Sequence, residues 1–225
     1  MSTSELFEPK YVTFDCYGTL IWFQMSATTR RVMGAKMPDQ VADAFLKSFE
    51  AYRFDEVMGD WKPYREIIDA AYKRTVIKYG LQYEKADAAA LYEAIGTWGP
   101  HPDTPAGLSK LATRYKLVIL SNAADDQIPG NVKQLGAPFH AVLTAQQARA
   151  YKPRLAAFEY MLDKLGVGPD EIVHVSSSMR YDLMPAHDLG IVNKVYVNRG
   201  YEPSTPFYGY REITKITELP GLFKF

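Results

Sequence analysis

A chain of 225 residues, 47% apolar and 23% charged, can bury a substantial core, as one large domain or as a core with a smaller insertion. Lysine plus arginine and aspartate plus glutamate balance at 26 each, which argues against nucleic acid or another polyanion as the main partner. The single cysteine, Cys16, excludes an internal disulfide and fits a reducing compartment, and no stretch reaches the roughly 18 apolar residues of a membrane span. A soluble cytoplasmic protein is expected.

The first element is the apolar run "YVTF" (11–14), read as a buried strand that stops at Asp15, with Gly18 and Thr19 just behind. Residues 20–97 then show helical patterns only: "DQVADAFLKSFEAYRF", "YREIIDAAYKRTVIKYG" and "EKADAAALYEAIGTW", punctuated by Pro38-Asp39, the "GDWKP" turn and Gly80. "GPHPDTP" (99–105) reads as a return linker. Beyond it helices and strands alternate. "TPAGLSKLATRY" precedes the strand "YKLVILS" (115–121), and the short run "AVLT" (141–144) follows. "LAAFEYMLDKLG" puts Leu155, Phe158, Met161, Leu162 and Leu165 on one helical face and closes at Gly166, a C-cap. It leads to the strand "EIVHVSS" (171–177), and "NKVYVN" (193–198) is another. The tail from Tyr201 reads as a closing loop with a short terminal element. Strands separated by such helices predict a parallel sheet covered on both faces.

In such a sheet, ligands bind beyond the carboxyl ends of the strands. Asp15 ends the first strand, Ser121 and Asn122 the second, and Ser176 to Ser178 a later one, with Asp182 just beyond; Lys152 lies a short loop after 141–144. A carboxylate, hydroxyls, an amide and an ammonium thus reach one edge from four segments. Ser121 and Asn122 also read as N-cap residues, which is compatible with a site, because a helix N-terminus favours anions. Alternation along the first strand turns Cys16 away from Asp15.

The order and wording of these pieces resemble the haloacid dehalogenase superfamily: "DCYGTL" (15–20), "LSNA" (120–123), "YKP" (151–153) and "VSSSMRYD" (175–182) match its four motifs in sequence. The resemblance implies an α/β fold with a doubly wound, Rossmann-like parallel-sheet core at 1–19 and 98–225 and a helical cap domain at 20–97. Most members of that superfamily are Mg²⁺-dependent phosphatases with a second acid two residues after the nucleophile. Here that place holds Tyr17, and Ser177 stands where a metal-binding aspartate would be. Mg²⁺ prefers carboxylate oxygens, so both differences point to a metal-free site without a cofactor.

That combination resembles the 2-haloacid dehalogenase (type II) group. A carboxylate displaces halide from the carbon beside a substrate carboxylate, and water hydrolyses the resulting ester. A halide needs no proton to leave, which explains a tyrosine at position 17. The resemblance implies Asp15 as nucleophile, Ser121 as ligand of the substrate carboxylate and Asn122 as part of a halide cradle. It implies that Lys152 keeps Asp15 ionised, and that Asp182 pairs with Lys152 and, with Ser177 or Ser178, positions the hydrolytic water. The group's cap arginine falls at Leu46 in this register, so Lys47 or Arg53 is the candidate replacement. Related dehalogenases are often homodimers. The competing readings are a phosphatase acting on a small phosphate ester and a non-catalytic binding protein of the same fold.

Overall fold

The computed structural model describes residues 6–225, so the first five residues of the expected core segment lie outside it. Its centre is one sheet of β1 (Tyr11–Phe14), β2 (Lys116–Ser121), β3 (Ala141–Thr144), β4 (Ile172–Ser176), β5 (Lys194–Val197) and β6 (Arg211–Ile213). All pairings are parallel and the order is β3-β2-β1-β4-β5-β6. The chain moves outward from β1 to β3, then crosses back to β4 on the other side of β1. This reversal makes β1 the topological switch point, where an open α/β sheet leaves a crevice at its carboxyl edge.

Alternation splits the strand side chains between two cores. Val12, Phe14, Cys16, Leu117, Ile119, Val173 and Val175 join one apolar cluster, while Val118, Leu120 and Ile172 join a second with Phe158 and Met161. Both faces are therefore covered, which is why the strands read as continuous apolar runs. Cys16 does face away from the Asp15 side, and burial raises its thiol pKa far above the usual range.

Four α-helices lie within residues 20–97: α1 (Met25–Met33), α2 (Asp39–Met58), α3 (Tyr64–Lys78) and α4 (Lys85–Ile95). The sheet is flanked further by α5 (Thr104–Ala112), α6 (Ile128–Lys133), α7 (Ala145–Ala148), α8 (Leu155–Leu165) and α9 (Met184–Asp188). Helix α8 ends as expected, with Gly166 left-handed at φ 63°. Its buried face is Ala157, Phe158 and Met161, whereas Leu155, expected on that face, opens the helix and is exposed. Helix α1 has no apolar stripe, since Thr28 and Thr29 are buried with Met25 and Met33. The Thr29 hydroxyl satisfies itself on the Met25 carbonyl at 2.8 Å.

In α5, Gly107 packs directly on the closing 3₁₀ turn Ile216–Leu222: a Cβ there would stand 2.3 Å from the Ile216 carbonyl oxygen. Backbone cannot swing aside as a side chain does. Gly107→Ala is therefore expected to lower stability by about 1–3 kcal/mol despite its better helix propensity. Urea denaturation checks this, and an unchanged midpoint would show that the terminal turn yields freely.

Candidate active site

Asp15 follows β1 directly, and its N–H extends the β1–β4 ladder to the Val175 carbonyl at 3.1 Å. The chain then turns sharply. Gly18 sits at φ 96°, a left-handed conformation that side chains resist, and a Cβ would meet Ser177 Oγ at 3.2 Å. The turn brings the Thr19 hydroxyl to Asp15 Oδ2 at 2.6 Å, and Ser177 N–H braces Thr19 Oγ1 at 2.9 Å.

Lys152 is 2% exposed, and all three of its ammonium protons are used: to Asp15 Oδ1 at 2.8 Å, Asp182 Oδ1 at 2.7 Å and the Leu120 carbonyl at 3.0 Å. Asn122 fixes the backbone beneath it from both sides, accepting from Lys152 N–H at 2.7 Å and donating to its carbonyl at 2.9 Å. One amide proton of Asn122 remains for a ligand. Two acids thus share one buried cation.

Burial pushes the Asp15 carboxyl above the ordinary aspartate range; Lys152 pulls it down and nearby Asp182 adds to the rise. The expected lowering by Lys152 is present, but burial outweighs it. Burial also works against ionised Asp182, yet Lys152 and the His174 hydrogen bond outweigh it and hold that carboxyl low. For Lys152, burial opposes the ammonium while Asp15 and Asp182 hold its pKa above normal.

The "SSSMRYD" stretch carries its acid through a π-helical turn, Met179–Leu183, closed by Leu183 N–H to the Ser178 carbonyl at 3.1 Å. A π turn takes up one residue more than an α turn, and here it returns Asp182 to Lys152. Glu202, from the loop after β5, ties the start of this turn: it accepts from Ser178 Oγ at 2.6 Å and from the N–H groups of Met179 and Arg180 at 3.0 and 3.1 Å. The Ser178 hydroxyl proton is thereby committed to Glu202.

Above these groups lies a cavity of about 100 Å³. Asp15, Tyr17, Arg53, Ser121, Asn122, Lys152, Ser178 and Asp182 all line it, with Phe23, Val57, Tyr64, Ile95, Trp98 and Tyr181 supplying its apolar wall. Ser177 is not on the wall; it stands behind Thr19. Tyr17 turns its hydroxyl to Asn131 Oδ1 at 2.8 Å, away from acid–base work at Asp15. Of the two cationic candidates on α2, Lys47 is exposed and outside the cavity, and Arg53 lines it. The Arg53 guanidinium lies 5.3 and 5.2 Å from the ring centroids of Phe23 and Phe49. Three buried polar atoms around this cavity have no hydrogen-bond partner: Ser121 Oγ, Arg53 Nε and Asp182 Oδ2.

A model of haloacid dehalogenase-like hydrolases matches residues 9–190, which takes in every one of these groups except Glu202. The chain belongs to that family. Among curated relatives of this hydrolase, (S)-2-haloacid dehalogenase 4A of Burkholderia cepacia is 28% identical over 213 residues, covering 92% of this chain and 91% of the relative. The (S)-2-haloacid dehalogenase of Xanthobacter autotrophicus is 28% identical over 184 residues, covering 80% and 72%. The solved L-2-haloacid dehalogenase of X. autotrophicus with chloropropionic acid covalently bound superposes with a TM-score of 0.78 at 22% identity, covering 96% and 98%, a likeness of fold.

The helical layer of this hydrolase meets its sheet along a seam. Arg154 donates to the carbonyls of Met58 and Gly59, and the Tyr151 hydroxyl to that of Lys62 at 2.8 Å. Arg149 lies over the Trp61 ring.

Sequence reasoning missed four contributors. Thr19 was passed over inside the "YGT" motif, and Asn131 and Glu202 lie far along the chain from what they hold. His174 lies inside the strand run "EIVHVSS", where nothing in the sequence marks it. Arg53 did carry a signal: it follows Phe45 and Phe49 at intervals of four, an arginine on the apolar stripe of α2.

Proposed function

We propose that this protein hydrolyses a small 2-haloalkanoic acid to the 2-hydroxy acid through an ester on Asp15, without a metal ion or cofactor. The observation that carries this reading is the trio of unpartnered atoms around Asp15. Ser121 Oγ and Arg53 are donors for two anionic ends, and Asp182 Oδ2 is an acceptor for water. A substrate carboxylate, a departing halide and a hydrolytic water need that set, inside a wall otherwise apolar enough for a short alkyl chain.

In the first step a carboxylate oxygen of Asp15 attacks the halogen-bearing carbon; a C–O bond forms, the C–X bond breaks, and halide leaves with the electron pair. Thr19 and Lys152 hold Asp15 for this displacement, and burial strips its carboxylate of water. Ser121 binds the substrate carboxylate. Arg53 and the remaining amide proton of Asn122 receive the halide. In the second step water attacks the ester carbonyl as Asp182 Oδ2 takes one of its protons. The bond from the Asp15 acyl carbon to the substrate oxygen breaks, and the leaving alkoxide takes that proton from Asp182 and departs as the hydroxy acid. The Asp15 carboxyl loses the remaining proton to solvent and is regenerated. Ser177 acts by bracing Thr19, and Ser178, held by Glu202, shapes the turn that carries Asp182.

Metal independence is supported by the donor chemistry. Lys152 already lies between the two carboxylates, Tyr17 is turned to Asn131, and position 177 offers a hydroxyl; this set does not fit a hard divalent cation. Residues 20–97 act as a cap domain over a core of 1–19 and 98–225. The proposal extends to a cytoplasmic homodimer, whose assembly sedimentation would check.

The test is halide release from both enantiomers of 2-chloropropionate and from haloacetates with EDTA present, beside a Mg²⁺-supplemented aryl-phosphate assay. EDTA-resistant halide release is expected. Phosphate release that requires Mg²⁺, with no halide, would overturn the reading. Arg53→Met keeps the packing on Phe23 and Phe49 and removes the charge. It is expected to lower kcat/KM by about 10²-fold, the scale of losing one aimed donor, and steady-state kinetics on 2-chloropropionate would show it.

A further inference from the structure

Asp182 Oδ1 accepts two hydrogen bonds, from Lys152 at 2.7 Å and from His174 Nε2 at 3.0 Å, while Oδ2 has none. An ionised carboxylate only accepts, so Nε2 carries the proton of this contact. On the far side of the ring, Nδ1 lies 2.8 Å from the Thr13 hydroxyl. Thr13 and His174 face each other directly across the β1–β4 ladder, so the two backbones set their spacing. The imidazole is wholly buried and stands edge-on to Phe158 at 5.2 Å between centroids.

We propose that His174, seated on Thr13, is a positioning residue that decides which oxygen of Asp182 faces the cavity. Lys152 alone does not fix a carboxylate: one ammonium contact lets the group pivot, or share both oxygens with the same cation. A second donor on the same oxygen, from a different direction, removes that freedom and leaves Oδ2 as the acceptor for water. This rests on the dehalogenase reading and concerns only its second step, since His174 reaches the site through Asp182 and makes no hydrogen bond to Asp15.

The experiment separates the two steps. With 2-chloropropionate, rapid-quench measurement gives the halide burst, steady-state turnover gives the overall rate, and intact-protein mass spectrometry reports ester on Asp15. For His174→Phe, which fills the space without a donor, a burst of one halide per site is expected at a rate within about threefold of the parent. Turnover should fall by about 10²-fold, the scale of a misplaced reacting group, with ester accumulating. His174→Gln, which restores an amide donor, should recover most of the turnover. Thr13→Val retains the imidazole but unseats it, so its ester accumulation should be intermediate, and this variant decides the matter if the histidine variants fail to fold. Burst and turnover falling together in soluble His174→Phe, or neither changing, would overturn the assignment, as would Thr13→Val without ester when it is the only soluble variant. A parent protein that forms no ester and releases no halide would instead overturn the dehalogenase reading itself.

Discussion

Asp15→Asn is expected to abolish halide release, by about 10⁴-fold or more, while leaving the protein at least as stable as the parent. The loss follows from removing the attacking group, whose absence no other member of a catalytic set replaces. The stability expectation comes from charge. Asp15 and Asp182 share the single ammonium of Lys152 in a site closed to water. The folded state raises the Asp15 pKa, so ionising it at neutral pH opposes folding. An amide at position 15 leaves Lys152 and Asp182 as a one-to-one pair. Halide assays and urea denaturation at pH 7 check the two halves independently. An inactive but destabilised variant would mean that the Lys152–Asp15 attraction outweighs the burial of the second acid. Retained activity would remove Asp15 as nucleophile.

Lys152→Met is expected to cost about 3–5 kcal/mol at pH 7, because deleting one partner of a buried ion cluster strands the others. Here two carboxylates are stranded. The deficit should shrink toward pH 4 as they protonate, a dependence that separates lost charge from poor packing. At the alkaline end the parent behaves oppositely. Against the effect of burial, Asp15 and Asp182 hold the Lys152 pKa above its ordinary 10.5. Its contribution is therefore complete below pH 10.5 and fades as pH rises through the raised value. Denaturation curves for both proteins between pH 4 and 8 test the first part, and an equal deficit at both ends would assign the loss to packing instead. Halide release should also vanish in the variant, since the nucleophile loses the cation that holds it.

The parallel sheet was legible because strands buried on both faces run almost wholly apolar until they end. Asp15, Ser121 and Ser176 stand out for that reason, each the first polar group met at the carboxyl end of its strand, and Asp182 follows just beyond. The segment 141–144 and the terminal strand Arg211–Ile213 were harder, since edge strands of three or four residues carry little pattern. Helix α1 was illegible because its inward face uses threonines, whose hydroxyls are satisfied locally or buried in ways that hydropathy does not register. His174 was hidden differently. A histidine inside "EIVHVSS" looks like any strand residue, and only the register that sets it opposite Thr13 and the turn that returns Asp182 disclose its partners. The π turn that carries Asp182 back to Lys152 has no sequence signal of its own.

The clasp between helices and sheet bears on how this protein can diverge. The hydrogen bonds by which Arg154 and Tyr151 grip the end of α2 and the following turn go to the main-chain carbonyls of Met58, Gly59 and Lys62. Such acceptors exist whatever side chains the turn carries, so replacements there leave the grip in place. Arg53 and Val57, in the last two turns of α2, line the cavity. Selection can therefore rework the wall at these positions while the fastening just beyond them endures, and a mutant library spanning 53–62 would sample new pockets with that fastening in place.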